Sequence, residues 1–276
     1  MVSALGFGAM QIGVPAITDA QAGRLLHHVL DRGITLIDTA RAYGLAEERI
    51  GRHLWSRRSE FILSTKVGYG VEGARDWTYE SVLRGVENAC RRLRTDCIDI
   101  VHLHSCDRFT LEHNGVLDAL ERCRERGWLR VVAYSGENEA LEFAIASGRV
   151  EAVQLSVNVC DQRSLDWLAK RRAEGLGTIA KRPLAERPWS RAAAPQDPPA
   201  REYWQRFRAM FGADCDPVWQ ARALRFAVFA PGVDCCLVGS THPDNIDWNL
   251  RELEAGPLPE DERAAIAAAF ADKNDG

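Results

Sequence analysis

The sequence predicts an α/β fold, a (β/α)8 TIM barrel forming a single domain over residues 1–276. Three observations lead there. Eight short apolar runs recur along the chain, amphipathic stretches of helical period separate most of them, and the runs are apolar almost throughout instead of alternating with polar residues. Unbroken apolar character suits strands covered on both faces, as in a parallel sheet wrapped by helices. Eight such strand signals with following helices, in a chain of this length, point to a closed barrel. The main competitor, an open doubly wound sheet, usually carries a Gly-rich phosphate loop after its first strand, and "GFGAMQIG" lacks that spacing.

Taken in order, "SALGFGAM" (3–10) opens the strand series. The helix "DAQAGRLLHHVLDRG" (19–33) follows, with Thr18 or Asp19 as its cap and a glycine as its stop. "ITLID" (34–38) is the second strand, and "AEERIGRHLWSR" is its helix. "FILSTK" (61–66) precedes a helix over 78–94 that Thr78 can cap and whose closing arginines suit the negative helix end. "IDIVHLH" (98–104) leads to one helix over 111–127, "LRVVAYS" (129–135) to 138–148, and "VEAVQLS" (150–156) to 164–175. "GTIAKR" (177–182) is followed by a segment holding five prolines, 183–204, read as a long loop at the catalytic face that serves either as a lid or as a surface insertion. "VDCCLVG" (233–239) is the eighth strand, and "PLPEDERAAIAAAFADKNDG" is a last outer helix with a frayed tail.

Composition narrows the function classes. A net charge of -4 argues against nucleic-acid binding as the main role. No apolar stretch approaches the roughly 18 residues of a membrane span, and the N-terminus does not read as a signal peptide. The cysteines (Cys90, Cys97, Cys106, Cys123, Cys160, Cys215, Cys235 and Cys236) form no C-x-x-C pair. They are expected as reduced, mostly buried thiols of a cytoplasmic protein, with Cys106 the one to watch because it follows a strand ending in polar residues.

Active-site residues of a barrel gather where strands end. The second strand signal ends in Asp38, the third in Lys66 and the fourth in His104, while Tyr43 lies just after the second. Neighbouring strands lie about 5 Å apart, so the four groups can converge. An Asp–Lys pair alone can be structural. The addition of a tyrosine and a histidine suits proton transfer to a carbonyl oxygen. Tyrosine is neutral near pH 7 and can donate, a nearby ammonium makes donation easier, and an imidazole can orient the carbonyl. His102 and His104, two apart on one strand, also raise a metal-dependent hydrolase as an alternative, but later strands offer no clear further ligands, so no metal is expected.

The motifs "LGFGAM", "LIDTARAYG", "STKVG", "DIVHLHSCD" and "VGSTHPDNIDWNL" span nearly the whole chain, and through them it resembles the aldo-keto reductases. That resemblance implies a barrel binding NADPH in extended form and reducing an aldehyde or ketone, with Asp38, Tyr43, Lys66 and His104 as catalytic tetrad and Tyr43 as general acid. It implies cofactor contacts from Gly8, Ala9 and Met10 at the first strand, from Asp38, and from Ser135 and Gln154 to the nicotinamide carboxamide. Gly136 stands where an asparagine is usual, and Val157 replaces a tyrosine. Lys181, Arg182, Pro183 and Leu184 fall where the family often has an aromatic ring and a serine before "PL", and Lys181 or Arg182 would meet the pyrophosphate instead. Gly239, Ser240, Thr241, Asn245 and Asn249 align with the segment gripping the adenosine 2′-phosphate. Gly239 and Asn245 occupy positions that often carry lysine and arginine, which weakens the preference for NADPH over NADH without removing it; Arg187, Arg191 or Arg251 are the cations left to compensate. The expected partner is a small carbonyl compound, with a substrate pocket near Met10, Tyr69, Trp77, Cys106 and Trp189. A non-enzymatic, cofactor-sensing regulatory subunit on the same barrel is the second reading.

Overall fold

The computed structural model describes residues 2–213 and 216–273. Cys215 and the expected frayed tail beyond Lys273 lie outside the described residues. Eight parallel strands close in sequence order: β1 (Leu5–Gly8), β2 (Leu36–Asp38), β3 (Ile62–Val67), β4 (Ile98–His104), β5 (Leu129–Ser135), β6 (Ala152–Ser156), β7 (Gly177–Lys181) and β8 (Cys235–Val238), the last pairing back onto β1. Each falls inside its predicted apolar run or one residue beyond it. Around them lie α1 (Asp19–Asp31), α2 (Ala46–Leu54), α3 (Tyr79–Leu93), α4 (Arg108–His113), α5 (Val116–Glu125), α6 (Asn138–Ala146), α7 (Leu165–Ala173), α8 (Pro198–Phe211), α9 (Val218–Val228), α10 (Pro243–Glu254) and α11 (Glu260–Lys273).

The caps explain why the first helices begin where they do. Thr18 accepts from the Gln21 amide while the Gln21 side chain accepts from the Thr18 amide, and Thr78 and Ser81 repeat the reciprocal arrangement before α3. Each such exchange satisfies two amides that the helix itself leaves without partners.

Two sequence expectations change. The single helix expected over 111–127 is two, α4 and α5, broken at Asn114 and Gly115. Gly115 takes a left-handed backbone, φ 66°, and the Asn114 side-chain Nδ2 donates to the Trp77 carbonyl. The segment 183–204 is not a loop throughout. Residues 188–190 form a short 3-10 turn, and α8 starts at Pro198. Pro198 and Pro199 sit in its first turn, where a missing N–H costs nothing. One helix was expected after that segment; the structure has α8 and α9 there, and α10 after β8 is an addition. Both α9 and α10 start beside a proline, Pro217 at the cap of α9 and Pro243 in the first turn of α10.

Packing divides the molecule into layers that position the site. The largest cluster lies between the strands and the helices. A small one, centred on Leu36, Ile179, Cys235 and Leu237, plugs the barrel interior. A third, with Trp189, Tyr203, Phe207 and Trp219, lies beneath the excursion after β7 and pins it down. Burying each such aromatic or aliphatic side chain contributes roughly 1.5–3 kcal/mol.

The turn after β1 is locked to the loop that carries Tyr43. A Cβ on Gly13 would come within 1.7 Å of the Tyr43 carbonyl oxygen, so only glycine allows the two backbones to meet. The Leu45 amide donates to the Gly13 carbonyl at 3.0 Å. The buried Arg49 guanidinium donates to the carbonyls of Ile12, Val14 and Ile17, holding the rest of the turn.

Candidate active site

The registers Asp38↔Ser64, Lys66↔His102, His104↔Ser135 and Ser135↔Gln154 bring polar residues from β2 to β6 to one end of the barrel. Lys66, 1% exposed, places Nζ 2.5 Å from Asp38 Oδ2 and donates to the Thr39 carbonyl at 2.9 Å. Asp38 Oδ1 accepts from Ser64 Oγ at 2.7 Å and from Gln154 Nε2 at 3.0 Å. Ser135 Oγ in turn donates to Gln154 Oε1 at 3.1 Å. This carboxylate is saturated with donors, and that is what allows two opposite charges to persist out of water.

Burial opposes the charge on Lys66, but the Asp38 carboxylate and the Tyr43 phenol outweigh it, and the lysine pKa is raised. Lys66 Nζ lies 5.1 Å from the centre of the Tyr43 ring. The Tyr43 and His104 rings meet edge to face with centres 6.0 Å apart. Asp38, Tyr43, Lys66 and His104 therefore do converge.

Burial, aided by the neighbouring Lys66 charge, pushes His104 down to about 4. His102, fully buried with Nε2 3.1 Å from Ser64 Oγ, is pushed down to about 3 by burial first. Both rings are neutral near pH 7. Among the described residues no three His, Cys, Asp or Glu side chains cluster to hold a metal ion. Cys106 is buried, and burial raises its thiol to about 12, so it is not a nucleophile near neutral pH.

The depressed histidines predict an acid-side loss of stability. An unfolded histidine takes up its proton near pH 6.5, while these two resist until about 4 and about 3. Their contribution is complete above pH 6.5 and is lost as pH falls through that window. Urea unfolding between pH 7 and 4 should show a decline that His102→Asn flattens; an unchanged slope in the variant would remove His102 as its source.

A cleft of about 490 Å³ opens beside the tetrad. Asp38, Tyr43 and Gln154 stand at its inner end, with Gly8 and Met10 from the β1 turn. Lys181, Arg182, Pro183 and Leu184 form one wall, continued by Arg187 and Arg191. Gly239 and Asn249 come from the β8 side. Several residues expected at the cofactor are not in the lining. Ala9 is buried in the core, and Ser135 reaches the site only through Gln154. Ser240 Oγ is engaged by the His242 amide and by Asn245 Nδ2, which commits both side chains to the start of α10; Thr241 also lies off the cleft. Trp189, expected at the substrate pocket, is buried against Phe207.

Sequence reading missed Glu137 and Gln11. Glu137 accepts from Lys181 Nζ at 3.1 Å and from the Ser156 amide and hydroxyl. Burial holds the Lys181 pKa below its usual value, with Glu137 pulling the other way. Arg182, in a left-handed backbone, donates to Ser156 Oγ at 3.1 Å. Nothing in the spacing of Glu137 and Lys181 announces this pair; the register Ser156↔Lys181 creates it. Gln11 lines the cleft with a buried Oε1 that finds no hydrogen-bond donor among the described residues.

The chain matches the model of the Aldo/keto reductase family over residues 4–271. It is similar to L-galactose dehydrogenase of Arabidopsis thaliana, 25% identical over 97% of this chain and 90% of the relative. A probable voltage-gated potassium channel subunit beta from the same plant is 26% identical over 93% of this chain and 89% of its own length. Among solved structures, the holo form of aldo-keto reductase AKR11C1 from Bacillus halodurans superposes with a TM-score of 0.81 at 25% identity, covering 97% of this chain and 92% of that one.

Proposed function

The chain belongs to the aldo/keto reductase family, and from that premise we propose that it is an NADPH-dependent reductase of a small aldehyde or ketone in which Tyr43 is the general acid. The observation that carries the reading is the buried Asp38–Lys66 pair beneath Tyr43, with a neutral His104 beside it, at the inner end of a cleft walled by cations.

The cleft residues fit a nicotinamide dinucleotide. Gln154 is fixed at the tetrad end, Gln11 offers an acceptor still in need of a donor, and four cations, Lys181, Arg182, Arg187 and Arg191, face the same space. When bound, the reduced cofactor supplies a hydride to the carbonyl carbon. Tyr43 gives its hydroxyl proton to the carbonyl oxygen. Lys66, kept charged by Asp38, favours the phenolate that donation leaves behind. His104, neutral, orients the oxygen with a ring N–H.

The preference for NADPH rests on where positive charge remains. The β8 end carries Gly239 and no lysine, and Asn245 is tied to Ser240. Arg187 and Arg191 line the cleft, whereas Arg251 lines a separate surface hollow with Asp247 and Glu254. Arginine forks suit phosphate. Fluorescence titration with NADPH and NADH should give tighter binding of NADPH, with Arg187→Ala together with Arg191→Ala reducing the ratio of the two affinities by about tenfold or more. No saturable binding of either cofactor would sink the reading. Binding without turnover of any carbonyl would favour a regulatory role, a reading that the likeness to a potassium channel subunit beta keeps in view.

A further inference from the structure

One group at the candidate site is absent from the tetrad yet touches it. The segment between β3 and α3 turns back so that the Tyr69 hydroxyl lies 3.1 Å from His104 Nδ1, with the two rings stacked at 27° and 5.5 Å between centres. From this geometry we propose that Tyr69 is a positioning residue: its hydroxyl donates to His104 Nδ1, fixing the imidazole in the tautomer that carries its proton on Nε2, the nitrogen left to meet a substrate oxygen. The inference rests on the carbonyl-reductase reading for its purpose but not for its geometry.

Three observations fit a bond donated by the phenol. The Tyr69 hydroxyl stays protonated, since burial first, and then the nearby Tyr43, raise its pKa. The imidazole is neutral near pH 7, so one of its nitrogens must accept. Finally, the loop is built to hold the phenol in place. Tyr69 packs on Trp77 with ring centres 5.3 Å apart. Trp77 takes a left-handed backbone at φ 59°, its amide donates to the Gly68 carbonyl at 2.7 Å, and Asn114 holds its carbonyl. A Cβ on Gly68 would come within 2.1 Å of the Trp77 ring, so the wedge closes only over glycine. A left-handed non-glycine residue is costly and persists where surrounding contacts over-determine it.

The charged and titratable groups around His104 come from several elements: Lys66 of β3, Asp38 of β2, Lys181 of β7, and His102 two residues earlier on its own strand. Tyr43 meets the ring edge to face, and among the described residues Tyr69 is the side chain with a hydrogen bond to it. A bond donated to Nδ1 exists only while the ring is neutral, so it holds the His104 pKa down; without it that pKa moves up toward the ordinary value.

The test is ¹⁵N NMR of the histidine rings, with His104 assigned from the signals that vanish in His104→Asn. The wild-type ring should be protonated at Nε2. In Tyr69→Phe, which keeps the ring and removes the hydroxyl, the tautomers should mix, the His104 pKa should rise, and kcat/KM should fall about tenfold. A wild-type ring protonated at Nδ1, or a tautomer and pKa unmoved by Tyr69→Phe, overturns the proposal. Should that variant fail to fold, the wild-type spectrum alone decides. Because the spectrum needs no substrate, a shifted tautomer in a protein that reduces no carbonyl would uphold this proposal while the reductase reading fell, and turnover with an unmoved tautomer would do the reverse.

Discussion

Tyr43→Phe is expected to lower kcat by about 10²–10⁴-fold while leaving the affinity for NADPH within about twofold of wild type. The substitution deletes one oxygen. The Asp38–Lys66 pair beneath it keeps its hydrogen bonds to Thr39, Ser64 and Gln154, so the site should stay folded. What goes is the proton for the developing alkoxide. His104 cannot replace it as an acid near pH 7, because a ring held down at about 4 has no second proton to give. Single-turnover reduction followed at the cofactor absorbance would measure this. Turnover retained within about tenfold would remove Tyr43 as the acid.

Lys66→Met is expected to be destabilising by about 3–5 kcal/mol and to abolish turnover. The cost comes from what remains: Asp38, 2% exposed, would keep Ser64 and Gln154 as donors but lose its counter-charge. Adding Asp38→Asn removes that stranded charge, so the double variant should recover much of the stability and none of the activity. Urea unfolding of the two variants checks this; a double variant no more stable than Lys66→Met would contradict the stranded-charge account. The pair also sets an alkaline limit. Because the folded lysine pKa is raised above 10.5, its contribution is complete below that pH and is lost as pH rises through the folded value.

The four converging groups were legible mainly at the residues that end apolar runs. Asp38, Lys66 and His104 could be picked out because a parallel strand is read from local composition, and its last residue falls at the mouth of the barrel. Tyr43 followed from its distance to Asp38. Tyr69 was visible only as a neighbour of the pocket, because nothing in "KVGYG" says that the loop doubles back until Trp77 takes a left-handed turn over Gly68. Glu137 was invisible for a similar reason. Its partner Lys181 is two strands further along, and only the β6–β7 register brings them within 3.1 Å.

The cationic wall of the cleft shows the same division. Local sequence could name Arg187, Arg191 and Arg251 as spare cations, and the family resemblance marked Gly239 and Asn245 as positions lacking an expected charge. Choosing among them required the fold: the aromatic cluster of Trp189, Phe207 and Trp219 pins the excursion after β7 so that its first two arginines line the cleft, while α10 carries the third to another face. Strand ends, and with them three of the four converging groups, depend on apolar runs a few residues long and could be read from the chain alone. Strand order, hydrogen-bond direction, the tautomer of His104 and the side of the cleft that carries charge depend on contacts between residues far apart in sequence, and those exist only once the barrel has closed.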